Sequence, residues 1–463
     1  MNKRPSIRAG KPAGRPSGSP PGKPRAKPDS RAAALIILGK VLDKRQALDE
    51  VLKLENAPDG LLSPLEPRDR AFVRLLVATT LRRLGQIDSV LELCLDRPLA
   101  EAKPRLQHIL RLGVAQLIYL KTSSHAAVDA TVRLAGREAS SRGLVNAVLR
   151  RITRDSDKLT PAADTEVLNA PTWLFEAWSA AFGEKRAGEI VKAHLIEPPL
   201  DLTLKDGATS EQWLTALDAE NLLPGSLRRA GGGRIEDLAG YAEGAWWVQD
   251  LAATLPSKML ESGLVGLEGG LVGKQIVDLC AAPGGKTLQL CTSGASVKAV
   301  DRSKNRLKLV EQNLNRTGLS AELIAADAAV WRPDAPVDGV LLDAPCTATG
   351  TLRRHPDAAY LKSAGDVTRM AEVQSHLIEA AIDMLKPGGV LVYCTCSLQP
   401  EEGEDHALRL KSDARLQHMA LEAAEIGGFS DAINAAGDLR TLPGHLPGQG
   451  GLDGFFATRF QRR

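Results

Sequence analysis

From Trp246 onward, short apolar runs alternate with longer helical stretches, and this rhythm restricts the possible folds more than any other feature of the chain. The runs are Gln275–Leu279, Val297–Val300, Leu323–Ala326, Gly339–Leu342 and Val390–Tyr393, with helical stretches such as Arg306–Leu314 and Ser375–Leu385 between them. Strands separated by helices predict a doubly wound α/β domain over residues 246–463, built on a mostly parallel sheet. In such a sheet ligands bind beyond the carboxyl ends of the strands. A polar cluster follows each run, so the chemistry is expected to converge on one edge.

The rest of the chain follows other patterns. Residues 31–155 read as an all-helical domain: Leu106, Leu110, Val114 and Leu117 keep one apolar face, and Ala33–Leu42 and Ala71–Leu84 behave alike. Arg68, Arg70, Arg74, Arg82 and Arg83 crowd one stretch, and Arg142, Arg150, Arg151 and Arg154 another. These suit either a solvated helix face or a surface that tracks phosphates. Residues 156–245 predict a small α+β module, with a helix-like stretch over Trp173–Ala193, a strand at Asp201–Leu204 and Gly/Pro punctuation over Pro224–Gly233.

Residues 1–28 contain Lys3, Arg4, Arg8, Lys11, Arg15, Lys23, Arg25 and Lys27 and no acid, although the whole chain carries only +3. With its prolines this stretch has too little apolar surface to offset ordering entropy. Residues 1–30 are therefore predicted to be a disordered basic tail suited to a polyanion. A chain of 463 residues, 43% apolar and 25% charged, holds several cores, which excludes a disulfide-stapled mini-protein and a fibrous repeat. The chain has neither an apolar run of roughly 18 residues nor a secretory leader, so a cytoplasmic protein without membrane contact is expected. Cys94, Cys280, Cys291, Cys346, Cys394 and Cys396 form no CxxC pair. They are expected to be free thiols and to hold no metal, because Cys394 and Cys396 lack the further ligands that zinc requires.

The strand ends carry the candidate chemistry. Asp278-Leu-Cys280-Ala281-Ala282-Pro283-Gly284-Gly285-Lys286-Thr287 leads from a strand through a glycine turn into a helix, an arrangement that lets backbone approach a nucleotide-like ligand. Gly285-Lys286-Thr287 matches the end of a phosphate loop, but Cys280 stands where that motif requires glycine. Asp301 closes the next run, where a carboxylate can accept from ribose hydroxyls, and Asp327 closes the third. The fourth ends in Asp343-Ala-Pro-Cys346, followed by a polar loop with Arg353, Arg354 and His355, which suit either bracing a nucleic-acid strand or a simply solvated surface. The fifth ends in Cys394-Thr395-Cys396-Ser397, with Pro400, Glu401 and Glu402 close behind.

Two thiols beside a nucleoside site suit alkylation of cytosine at carbon 5, a poor nucleophile. A thiolate added to carbon 6 makes the ring an enamine, and the barrier is split in two. A carboxylate near ring N3 stabilises developing charge, and a base then removes the carbon 5 proton. Asp343 and Cys346 are placed for these duties.

With these motifs the chain resembles the S-adenosyl-L-methionine-dependent RNA (cytosine-5) methyltransferases, in particular the bacterial small-subunit ribosomal RNA methyltransferase B (Sun/Fmu) family. Cys280–Lys286 resembles the family's donor loop, Asp343–Cys346 its target-base motif and Thr395–Ser397 its nucleophile motif. Arg68–Ala71, Ser124–Val128 and Gly143–Arg150 resemble its NusB-like helical domain, and Trp247–Asp250 and Asp453–Phe456 its entry and final-strand segments. The resemblance implies a Rossmann-like class I methyltransferase fold, with Cys396 as nucleophile and Cys346 aiding release of the methylated base. It also implies that Asp301, Asp327 and Asp343, with residues 280–286, line the cofactor site.

The implied partner is 16S ribosomal RNA or a small-subunit precursor, met by a monomer, with the target cytosine drawn out of its stack. Cys394 and Cys396 lie two apart and share a strand face, so only the Thr-Cys-Ser match prefers Cys396. Cys394 departs from the family, whose members usually place a small residue there. Two other functions remain open at this point: a transfer RNA cytosine-5 methyltransferase, and a non-catalytic NusB-like RNA-binding or antitermination factor.

Overall fold

The computed structural model describes residues 29–161, 163–206, 211–231, 233–266 and 270–463, so the basic tail over residues 1–28 lies outside the described residues. Helices alone occupy the chain up to His194 among the described residues. Their apolar core is drawn from Leu38, Leu76, Leu81, Ile87, Leu110 and Leu149, all fully buried. Of the predicted face, Leu110 and Val114 are buried, and Leu106 and Leu117 pack against the same core. Gly113 sets the approach of two helices: a Cβ there would meet the Leu149 methyls at 2.7 and 2.9 Å. The predicted helix over Trp173–Ala193 is instead two, Thr172–Phe182 and Glu184–His194, because Gly183 at φ +83° turns the chain between them.

Four antiparallel strands follow, β1 (Leu200–Leu204), β2 (Ala219–Leu223), β3 (Ser226–Arg229) and β4 (Trp246–Val248), in the order β2-β3-β1-β4. The small sheet thus takes in three residues beyond 245. Asp250 then caps the helix Leu251–Val265 by accepting from Ala252 N–H at 2.9 Å.

The large sheet comprises β5 (Gln275–Leu279), β6 (Ser296–Asp301), β7 (Glu322–Ala325), β8 (Val337–Asp343), β9 (Leu385–Thr395), β10 (Leu416–His418), β11 (Leu439–Thr441) and β12 (Phe455–Arg462). Its order is β10-β12-β9-β8-β5-β6-β7, with β11 also on β12. The pairs from β7 to β9 are parallel, and those made by β12 are antiparallel. Order reverses between β5 and β8, where a ligand crevice opens beyond the strand ends. The central β8 is buried over Val337–Leu342, which explains its apolar run Gly339–Leu342. Among the described residues no helix is long and apolar enough to cross a membrane.

The loop after β8 joins all three parts. Leu352 and Ala359 share a cluster with Leu174 and Trp178, and Asp357 accepts from Leu48 N–H at 2.9 Å. Arg82 Nη2 donates to the Arg353 carbonyl at 2.8 Å, and Tyr360 Oη to the Leu81 carbonyl at 3.0 Å.

Candidate active site

On one side of the crevice the loop after β5 turns sharply, with Cys280 at φ +60° and Gly284 at φ +105°. Gly285 opens the helix Gly285–Thr292 under close cover: a Cβ would press on the Gln249 amide at 3.1 Å. Asp278, fully buried, accepts from Thr287 Oγ1 at 2.5 Å, and burial pushes its carboxyl up to about 7. Asp301 at the end of β6 accepts from Ala282 N–H at 3.2 Å and Ser303 N–H at 2.8 Å, with Arg306 Nη1 at 3.6 Å. Asp327, beyond the end of β7, is exposed and turns back to accept from Ala329 N–H at 3.0 Å.

On the other side, Asp343 at the end of β8 faces both motifs. Its Oδ2 accepts from Lys286 Nζ at 2.7 Å, and its Oδ1 lies 3.7 Å from Cys394 Sγ. The side chain of Lys286 therefore leaves its own loop and crosses to the end of β8, beneath the Phe455 ring at 4.9 Å. Burial opposes its charge, but Asp343 and neighbouring groups hold its ammonium above the ordinary lysine range. The thiols divide. Cys394 is fully buried, and burial pushes its thiol well up, whereas Cys396, one residue past the end of β9, is half-buried with its sulfur 3.5 Å from Cys346 Sγ. The hydrogen bond with Cys396, then burial, raises the Cys346 thiol well above the usual range.

Two features were not legible at the outset. Glu402 has no solvent exposure and sits between the cysteine loops, accepting from Thr347 N–H (2.9 Å), Thr347 Oγ1, Ser397 Oγ (2.5 Å) and Gln374 Nε2 (3.1 Å). The reading of Arg353, Arg354 and His355 as a brace for a nucleic-acid strand is overturned. Arg353 is fully buried and donates to Asp250 at 3.2 Å and Asp453 at 3.0 Å, and Arg354 binds the same two acids at 2.7 and 2.9 Å. His355 faces Asp49 of the helical domain at 3.0 Å. Two buried carboxylates need cations, and these arginines supply them.

The groups beyond β5, β6 and β7 fit a nucleoside-bearing cofactor such as S-adenosyl-L-methionine. The turn is thin, Asp327 stands in solvent, and each Asp301 oxygen keeps a second lone pair beyond the backbone N–H it accepts. Among the described residues no three metal-ligating side chains converge.

Comparison with known proteins agrees with this layout. Residues 272–461 match the family described as 16S rRNA methyltransferase RsmB/F, and residues 28–154 match the NusB family. The ribosomal RNA small subunit methyltransferase B of Serratia proteamaculans is 34% identical, over 83% of this chain and 91% of its own length. That of Vibrio cholerae is also 34% identical, over 92% and 96%. Among solved structures, PH0851 shares the fold with a TM-score of 0.68 at 22% identity, over 94% of this chain and 99% of its own. NSun6 from Pyrococcus horikoshii matches 63% of this chain and 98% of its own, with a TM-score of 0.53 at 21% identity. On the strength of the full-length relatives, the chain belongs to the ribosomal RNA small subunit methyltransferase B family.

Proposed function

We propose that this protein methylates carbon 5 of a cytosine in 16S ribosomal RNA, or in a small-subunit precursor, through a covalent bond between Cys396 and carbon 6. Family membership makes it a ribosomal RNA methyltransferase with S-adenosyl-L-methionine as cofactor. The observation that carries the finer reading is the 3.5 Å approach of Cys346 and Cys396 beside the Lys286–Asp343 pair.

Each residue has a separable duty. Cys396 adds as thiolate to carbon 6. Asp343 and Lys286, paired at 2.7 Å, stabilise charge at ring N3. The bound cofactor supplies the electrophilic methyl group, held by residues 280–286 with Asp301 and Asp327. Cys346 faces the sulfur that must depart and aids release of the methylated cytosine by taking the proton from carbon 5, so that the ring double bond re-forms as the Cys396–carbon 6 bond breaks. Cys394 is sealed in the core and does not compete. Residues 31–155 and the arginines they carry are the RNA-binding domain, residues 156–245 a linking module and residues 246–463 the catalytic domain, acting as a cytoplasmic monomer.

RNA carrying 5-fluorocytosine cannot lose its substituent and should trap the protein as a denaturation-resistant adduct. Wild type should form that adduct and Cys396→Ala should not. An adduct with Cys396→Ala would remove Cys396 from its role, and methylation of transfer RNA alone, mapped by bisulfite, would overturn the substrate.

A further inference from the structure

The cysteine pair is held by nothing covalent. Cys346 lies on the loop after β8 and Cys396 on the loop after β9, and their 3.5 Å separation depends on how those loops are tied. The tie is a single carboxylate. Thr347, next to Cys346, gives Glu402 both its backbone N–H and its hydroxyl, and Ser397, next to Cys396, gives its hydroxyl.

Further bonds brace the same knot. Gln374 Nε2 donates to Glu402 and also to the Pro345 carbonyl at 2.8 Å, reaching the other neighbour of Cys346. Ser397 Oγ accepts from Gln399 N–H at 3.1 Å, and Thr349 Oγ1 accepts from Leu398 N–H at 2.9 Å. Every group aimed at Glu402 is a donor, and a carboxylate is the side chain that accepts from all of them at once. A fully buried carboxylate gives up its solvation by water, so a site intended only to be stable would be better filled by an apolar side chain. Its donors instead sit one residue from each thiol.

We propose that Glu402 is a positioning residue that holds the Cys346 and Cys396 loops in register, so that both sulfurs address one pyrimidine carbon. The role rests on the covalent function proposed above. An amide of the same size cannot replace the carboxylate. Facing the N–H groups of Thr347 and Gln374 its NH₂ opposes donors, and facing the two hydroxyls it turns both into acceptors, so that their own protons must leave this knot for other partners. Loosening the reacting sulfur by a fraction of an ångström slows chemistry without touching the cofactor side.

The test uses the full chain carrying Glu402→Gln. In single-turnover trapping with 5-fluorocytosine RNA, the maximal rate of adduct formation should fall at least about tenfold while the half-saturating RNA concentration and the affinity for S-adenosyl-L-methionine stay within about twofold. In parallel, phenylarsine oxide, which bridges close thiol pairs, should capture Cys346 and Cys396 in the wild type and lose affinity in the variant. Trapping at the wild-type rate with arsenical capture unchanged would overturn the role of Glu402. If wild type itself forms no adduct, the covalent reading fails, and the arsenical comparison still decides whether Glu402 sets the spacing. If Glu402→Gln does not fold, Thr347→Val, which removes one donor, must show a smaller loss in the same two readouts, and no loss in either would equally overturn the proposal.

Discussion

The two sides of the crevice are built differently. On the cofactor side, bonds are local: Thr287 to Asp278 spans nine positions and Ala282 to Asp301 nineteen. On the cytosine side they are long-range: Thr347 to Glu402 spans 55, Arg353 to Asp453 spans 100 and Arg82 to Arg353 spans 271. A motif within one strand, turn and helix can hold a cofactor wherever that unit occurs. Under the proposed function, placing two thiols on one base requires two strand ends, a third loop and the helical domain behind them. Lys286 is the exception that links the halves, since it belongs to the local motif and spends its charge on Asp343.

The largest effect that tests this division after loss of Cys396 itself is expected from Cys346→Ala. With the thiol that faces Cys396 gone, addition to cytosine should proceed while release slows about a hundredfold, so the variant should accumulate a methylated covalent complex on ordinary RNA. Denaturing electrophoresis under turnover conditions reads this directly. Equal slowing of trapping and release would show that the two cysteines act as one group and not in sequence.

A loss of stability, smaller in its effect on chemistry, should come from the polar network behind the loop. Arg353→Met leaves Asp250 and Asp453 buried with only Arg354 between them, and should cost about 3 kcal/mol in urea denaturation. The cytosine side should weaken first, seen as loss of adduct formation at urea concentrations where the cofactor still binds. Simultaneous loss of both would show that the halves unfold together and that their different construction has no energetic consequence.

The same contrast explains what could be read in advance. Gln275–Leu279 was legible to the residue as β5, and Asp301 and Asp343 stand at strand ends as the alternation of apolar runs demanded. Local pattern was enough for these. Arg353 and Arg354 looked like surface residues because nothing near them in the chain signals burial. Their partners, Asp250 and Asp453, stand in the segments Trp247–Asp250 and Asp453–Phe456, about 100 positions to either side, and only their burial calls for a cation. Glu402 was noted only as following Cys396 with Pro400 and Glu401, since of its donors Ser397 alone is near in the chain, the others lying on a helix 28 positions before it and a loop 55 before it. Gly183 broke a predicted helix because one left-handed glycine outweighs a uniform apolar pattern on either side.

The smallest predicted effect concerns the link to the helical domain, where His355 meets Asp49 at 3.0 Å with Arg74 at 3.8 Å from Asp49. The hydrogen bond to Asp49 raises the His355 pKa above the ordinary imidazole value, with burial opposing and Asp357 and Asp453 adding to the rise. A raised folded-state pKa means the contribution is complete below the unfolded value, about 6.5, and is lost as pH climbs through the folded value. Asp49→Asn should abolish that loss. Between pH 6 and pH 9 the wild-type Tm should fall by about a degree more than that of the variant, a small shift because both side chains are about half exposed. Parallel pH profiles for the two proteins would mean that this contact carries nothing between the domains, leaving the apolar cluster around Trp178 and the bonds of Asp357 and Tyr360 to hold the cytosine side against its helical support.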